Sequence, residues 1–200
     1  GQILKQDDWQ HGAPNGASGD PSSAYSGSKV WGNDLGGTGW NGEYQSDVSN
    51  WLRSPIINCS GAVGTTLTYK RWLTVERSVY DQARIRVNGT QVYINPSAAD
   101  LVDNSWVTHE IDISSIADGN SSVQIEYSLV TDGGVEFGGW NLDDFEVSYL
   151  GASDGCIDPV NYGTNKLNSN GLITTMSWAG TPSETINDLL TFHIVFGKTV

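Results

Sequence analysis

Two adjacent carboxylates, Asp143 and Asp144, interrupt the apolar run of GGWNLDDFEV at residues 138–147. Strand side chains alternate faces, so Trp140 and Leu142 share one face, whereas Phe145, Val147 and Tyr149 carry the opposite parity. A face that flips in mid-strand is what a β-bulge or a strand entry produces, and bulges re-aim side chains at functional positions. Neighbouring carboxylates repel one another unless a cation or a hydrogen-bond donor compensates them. The pair is therefore the first candidate for metal ligation. The plainer alternative is a solvated turn in which Asp144 bonds backbone amides.

A second carboxylate pattern has a catalytic look. HEIDIS, residues 109–114, resembles the strand of laminarinase-type glycoside hydrolases on which alternate carboxylates serve as nucleophile, helper and acid/base. Retaining hydrolysis needs two such groups about 5–5.5 Å apart. Glu110 and Asp112 have the right alternation, but Ser114 and Ser115 stand where the proton donor belongs, so the two acids read as outward polar residues of a strand. The sequence contains no HExxH, no GxSxG and no P-loop. His11, His109 and His193 are isolated, His109 shares the apolar parity of its strand, and Cys59 has no evident base beside it. A non-enzyme is expected.

The elements that must position these groups are strands. Gly accounts for 24 of 200 residues, with a single Met, a profile of short strands joined by tight turns. TLTYKRWLTVE places Leu67, Tyr69, Leu73 and Val75 on one face, with Arg71 the exception. ARIRVNGTQVYI alternates Ala83, Ile85 and Val87 with arginines and then turns at Asn88-Gly89, the strongest short hairpin signal. SWVTHEIDIS and SVQIEYSLV alternate in the same way, and Asp118-Gly119 marks a turn between them. Strands of this length and spacing, each with one apolar face, describe an antiparallel sandwich. Residues 1–50 are rich in loops, with Trp9, Tyr25, Trp31, Trp40, Tyr44 and Trp51 expected to pin them onto the framework.

The net charge of −13, from 23 acidic and 10 basic residues, argues against nucleic acid, whose phosphates draw clustered Lys and Arg. Acidic surfaces instead suit an extracellular setting, where calcium is plentiful and takes oxygen ligands. No run of about 18 apolar residues could span a membrane. The start, GQILKQDDW, lacks the cationic and apolar regions of a signal peptide, so a mature or excised chain is expected. Near residue 151 the composition turns polar, which divides the chain into a sandwich domain over 1–150 and a C-terminal β appendage or incomplete second module over 151–200. Cys59 and Cys156 allow at most one internal disulfide.

The motifs DWQHGAP, SAYSGSKVWGNDLGG, WLRSPIINCSG, LTYKRWLTVERSVYDQARIRVNG, WVTHEIDIS and GGWNLDDFEV fall in an order that resembles the MAM-like jelly-roll domains of secreted bacterial proteins. Such domains accompany immune inhibitor A type metallopeptidases and are similar to the cleaved-adhesin modules of bacterial surface proteases. Position 59 departs from the pattern, with Cys where these domains carry an apolar residue. The tail resembles the opening of a short C-terminal module whose usual cysteines are replaced here by Gly163 and Leu172. The resemblance implies a secreted, non-catalytic, all-β domain that binds protein or glycan beside other domains of a longer chain. It also implies calcium: the last strand would lie next to the first, bringing Asp7 and Asp8 near Asp143 and Asp144, and VERSVYD would offer Glu76 and Asp81 in a loop where such domains hold the ion. The metal candidates are thus Asp8, Glu76, Asp81, Asp143 and Asp144. The alternative is a carbohydrate-binding module that stacks sugars on exposed aromatics such as Trp40, Tyr44 or Trp72, with a glycoside hydrolase ranked last.

Overall fold

The computed structural model describes residues 3–6 and 8–152. The expected appendage over 151–200 lies outside them apart from its first two residues. The short strands are β1 (Leu4–Lys5), β2 (Trp9–Gly12), β3 (Val30–Asn33), β4 (Ser49–Arg53), β5 (Ile57–Cys59) and β6 (Ala62–Val63). The long β7 (Thr66–Val75) is followed by β8 (Gln82–Val87), β9 (Thr90–Ile94), β10 (Leu101–Val102) and β11 (Val107–Asp112). One helical turn, α1 (Ser114–Ala117), precedes β12 (Asn120–Val123), β13 (Ile125–Val130), the long β14 (Gly139–Ser148) and β15 (Gly151–Ala152). One sheet has the order β1-β4-β13-β8-β9, and the other runs β10-β7-β14-β3-β2 with β11 also on β7. All pairings are antiparallel. The chain is an antiparallel β-sandwich, as the alternation predicts.

Period-two patterning builds the core. Ala83, Ile85 and Val87 of β8, with Ile125, Tyr127 and Leu129 of β13, face Leu67, Tyr69 and Leu73 of β7 and Trp140 of β14, all within the buried cluster. Each buried Val, Leu or Ile among them contributes on the order of 1.5–3 kcal/mol. The β8–β9 turn has positive φ at both Asn88 (47°) and Gly89 (81°), the twist that lets a two-residue loop join the strands. Arg71 keeps the inward parity and is buried there. Its guanidinium forms a fork onto Asp103 (2.9 and 3.1 Å) and donates to the Tyr93 hydroxyl (2.9 Å). An inward charge survives because each of the three guanidinium nitrogens finds an acceptor and the carboxylate compensates the charge.

The parity flip in β14 is a bulge. Its register against β7 shifts between Asp143 and Glu146, and Asp144 holds φ at +43°. Beyond the bulge Val147 and Tyr149 pack on the same core that Trp140 and Leu142 enter. The loop before β3 is strapped to the outer face of the second sheet by two indoles: Trp72 Nε1 donates to Gly19 O (2.7 Å) and Trp106 Nε1 to Ser23 O (3.1 Å). Of the aromatics expected to pin this excursion, Trp9 and Tyr44 are buried but Tyr25 and Trp40 are exposed, and the framework tryptophans supply the remaining ties.

Candidate metal centre

Three strand ends converge at one end of the sandwich. Glu76 follows β7, Asp81 precedes β8 and Asp132 follows β13, and one carboxylate oxygen from each lies within 4.8 Å of the others. Among the described residues this is the one grouping of three or more such ligands. Asp81 is buried and fixed on both oxygens: Oδ2 accepts the Tyr44 hydroxyl (2.6 Å) and Oδ1 accepts the Asp132 N–H (2.9 Å). Asn95, also buried, donates to the carbonyls of Glu76 (2.7 Å) and Asp81 (3.0 Å), which sets the spacing of the loop between them. The Gly134 N–H donates to Asp132 Oδ1 (2.8 Å). A Cβ built on Gly134 would fall 2.8 Å from that oxygen and 4.0 Å from Glu76 Oε2, so the chain here leaves space that only glycine preserves.

The charge state follows from this crowding. Burial raises the Asp81 carboxyl above the usual range, opposed by the bonds from Tyr44 and Asp132. Desolvation and the charges of Asp81 and Asp132 raise Glu76. Calcium takes six to eight oxygens, and three carboxylates with nearby carbonyls are the hard donor set it prefers. The residues present fit the ion: Glu76, Asp81 and Asp132 would hold it and Tyr44 would orient Asp81.

The other candidates are dispersed. Asp143 and Asp144 meet donors: Asp143 Oδ2 accepts the Ser26 N–H (3.0 Å), Asp144 Oδ1 accepts the Ser26 hydroxyl (2.5 Å), and the Asp144 N–H donates to Asp143 Oδ1 (2.9 Å). Asp8 does not join them. Strand β3 lies between β2 and β14, so the expected adjacency of first and last strands is corrected, and Asp8 Oδ1 instead accepts from Asn50 (2.6 Å). Asp7 is outside the described residues. Burial raises Asp8 to about 6 despite its amide partners.

Asp20, which the sequence did not single out, is the more strongly perturbed. It is 5% exposed, with one oxygen bonded by Asn141 Nδ2 (2.6 Å) and the other unpartnered. Burial, with the charge of Asp34, raises it to about 8. A Cβ at Gly138 would collide with Asp20 Oδ1 and Thr74 Oγ1. Nothing in GDP at 19–21 marks this residue, because its surroundings come from Thr74 on β7 and from Gly138 and Asn141 at β14, all more than fifty positions away.

The proposed sugar platforms also separate. Tyr44 is 1% exposed, so its assignment as a stacking surface is corrected: burial against Asp81 leaves no open ring face. Trp72 is half-buried, edge-on to Trp106 at 6.0 Å and committed to the Gly19 carbonyl. Trp40 is 40% exposed and opens onto a depression of about 780 Å³ shared with Asn41, Glu43, Gln45 and Glu136. Glu110 and Asp112 are exposed on β11, and the Ser114 N–H donates to Asp112 Oδ1 (2.9 Å).

No family model matches the chain. It is 27% identical over 141 residues to Bacillopeptidase F of Bacillus subtilis, covering 70% of this chain and 9% of that protein. It is 28% identical over 117 residues to the pre-pro-metalloprotease PrtV of Vibrio cholerae, covering 52% of this chain and 12% of that one. The chain thus spans about a tenth of the length of the relatives it matches. Similar solved structures include a cleaved-adhesin domain of Lys-gingipain from Porphyromonas gingivalis, with TM-score 0.44, 12% identity, and coverage of 75% of this chain and 90% of that one. A family 35 carbohydrate-binding module from Clostridium thermocellum has TM-score 0.40 and 15% identity, with coverage of 75% and 100%.

Proposed function

We propose that the sandwich is an extracellular, calcium-stabilised, MAM-like accessory domain that binds protein or glycan beside a catalytic domain and performs no catalysis itself. The observation that carries the calcium part is the convergence of Glu76, Asp81 and Asp132 around an Asp81 held by Tyr44. The accessory role is supported by similarity to short segments of two peptidases, each far longer than this domain. It is supported too by the outward placement of Glu110 and Asp112, with Asp112 engaged by the Ser114 amide. The test is a calorimetric calcium titration paired with assays on casein and β-glucan. Saturable calcium binding without turnover is expected, and turnover abolished by Glu110→Gln would overturn the reading.

A carbohydrate-binding module is the second reading, favoured by one observation. Trp40 presents a ring beside amide and carboxylate side chains able to bond sugar hydroxyls. Trp40→Ala should abolish any glycan retention while leaving the calcium response intact.

A further inference from the structure

The depression beside Trp40 carries negative charge that nothing in its wall balances. Asp34, Glu43 and Glu136 line it, and no lysine, arginine or histidine does. The ion pairs among the described residues join Arg53, Arg71, Arg77 and Arg86 to other acids. Asp34 is sunk into the wall at 3% exposure. Its Oδ1 accepts the Gly36 N–H (3.0 Å), whereas its Oδ2 meets no donor among the described residues. A carboxylate oxygen removed from water in this way is costly to leave without a partner. Glu43 gives Oε2 to Asn41 Nδ2 (2.7 Å) and keeps its other oxygen open. A tight turn sets the indole beside these acids: the Trp40 N–H donates to Gly37 O (3.1 Å), and positive φ at Gly37 (111°) and Gly39 (86°) lets the chain reverse with Trp40 outermost.

The spacing of the acids selects the occupant. Asp34, Glu43 and Glu136 do not gather within the 4.8 Å that Glu76, Asp81 and Asp132 share, so one metal ion, whose oxygens must all lie about 2.3–2.6 Å away, is too small to bridge them. A neutral sugar could stack on Trp40 but would leave the charge uncompensated. A guanidinium is planar, always charged and carries five donors, so it can lie on an indole face while its edge reaches carboxylate oxygens that stand apart. An ammonium is a compact point charge and meets fewer of them. The volume of about 780 Å³ exceeds what one guanidinium fills, and the amide and hydroxyl side chains of Asn41, Gln45 and Ser46 around it suit the backbone of a bound peptide.

We infer that the Trp40 depression takes an arginine side chain of a partner polypeptide, its guanidinium stacked on the indole and bonded to Asp34, Glu43 and Glu136. The inference deepens the accessory-domain reading, choosing a protein ligand over a glycan, and rests on it. Calcium binding is read at Glu76, Asp81 and Asp132 and hydrolysis at Glu110, so that reading and this one can fail separately. Tyr44 lines the depression and also bonds Asp81, which joins the two sites through one wall. The test is therefore made in saturating calcium.

The isotopically labelled full chain is titrated with acetyl-Gly-Arg-Gly-amide and followed by NMR, with the Lys analogue, the citrulline analogue and cellotetraose as controls. Citrulline keeps the shape of arginine without its charge. The Arg peptide should saturably shift the Trp40 indole and the Glu43 amide, the Lys peptide should bind several-fold more weakly, and the citrulline peptide and cellotetraose should be silent there. Trp40→Ala should weaken the Arg peptide on the order of tenfold with an unchanged melting curve. Glu43→Gln and Glu136→Gln together should do the same, and raising salt to about 0.5 M should weaken binding by screening. No saturable shift at Trp40, equal binding of the citrulline peptide, cellotetraose binding there instead, or undiminished binding by the double glutamine variant would each overturn the proposal.

Discussion

Asp20 shows how a single side chain can govern stability. Its carboxyl is raised from 3.8 to about 8 by burial, so the folded protein holds a proton there that the unfolded chain releases near pH 4. The stability that this group contributes is fully present below about pH 4 and is lost as pH rises through about 8. Asp8, raised to about 6, acts in the same direction over a narrower window. In chelator, the midpoint of urea unfolding should therefore fall between pH 5 and pH 8. Asp20→Asn, which is neutral throughout, should remove most of that fall and be more stable than the wild type at pH 8 by on the order of a few kcal/mol. A variant with the wild-type pH profile would show that Asp20 ionises freely. Asp81 is held differently, since both its oxygens accept hydrogen bonds and its neighbours are acidic. Asp81→Asn should cost the calcium response rather than change the pH profile alone.

Among the elements, the two long strands β7 and β14 position the inward ion pair and the bulge. Arg71 on β7 turns a charge inward, and Asp103 compensates it beside the β7–β10 pair. Asp103→Ala should destabilise by about 3–5 kcal/mol in denaturant titration, because it strands a buried guanidinium. A loss below about 1 kcal/mol would mean that the pair is solvated. At the other end, β15 pairs with β6 so that Ala152 faces Ala62, three residues from the buried Cys59. Cys59 is unpaired among the described residues, and Cys156, the thiol with which a secreted setting would oxidise it, lies outside them. Thiol titration of the denatured, unreduced protein should find no free thiols, and two free thiols would exclude the bridge. Period two made the core strands readable in advance: Ala83, Ile85 and Val87 follow directly from ARIRV. The β14 bulge was visible as a parity break at the two aspartates. Its consequence, a cleft beside Phe145, was not, because the walls come from strands of both sheets.

At the scale of the whole molecule, an antiparallel sandwich brings together strand ends that are remote in sequence, and here it gathers acids from three of them. Glu76 and Asp81 were legible as a loop between two strands, but Asp132 follows β13 and could be added only once the topology placed that end beside them. The sandwich also explains the failure of Tyr44 as a platform, since an aromatic in a long loop is equally suited to cover a core, and the fold buries this one against Asp81. Calcium bound to the native state alone stabilises by mass action, by about 2.7 kcal/mol at a hundred times the dissociation constant. For a domain of this size that corresponds to on the order of 5–10 °C. The decisive measurement is a pair of calorimetric melts, in millimolar calcium and in chelator, on the wild type and on Asp81→Asn. The wild type should melt several degrees higher in calcium and the variant should not respond, whereas coincident wild-type curves, or an undiminished response in Asp81→Asn, would contradict a calcium centre at Glu76, Asp81 and Asp132.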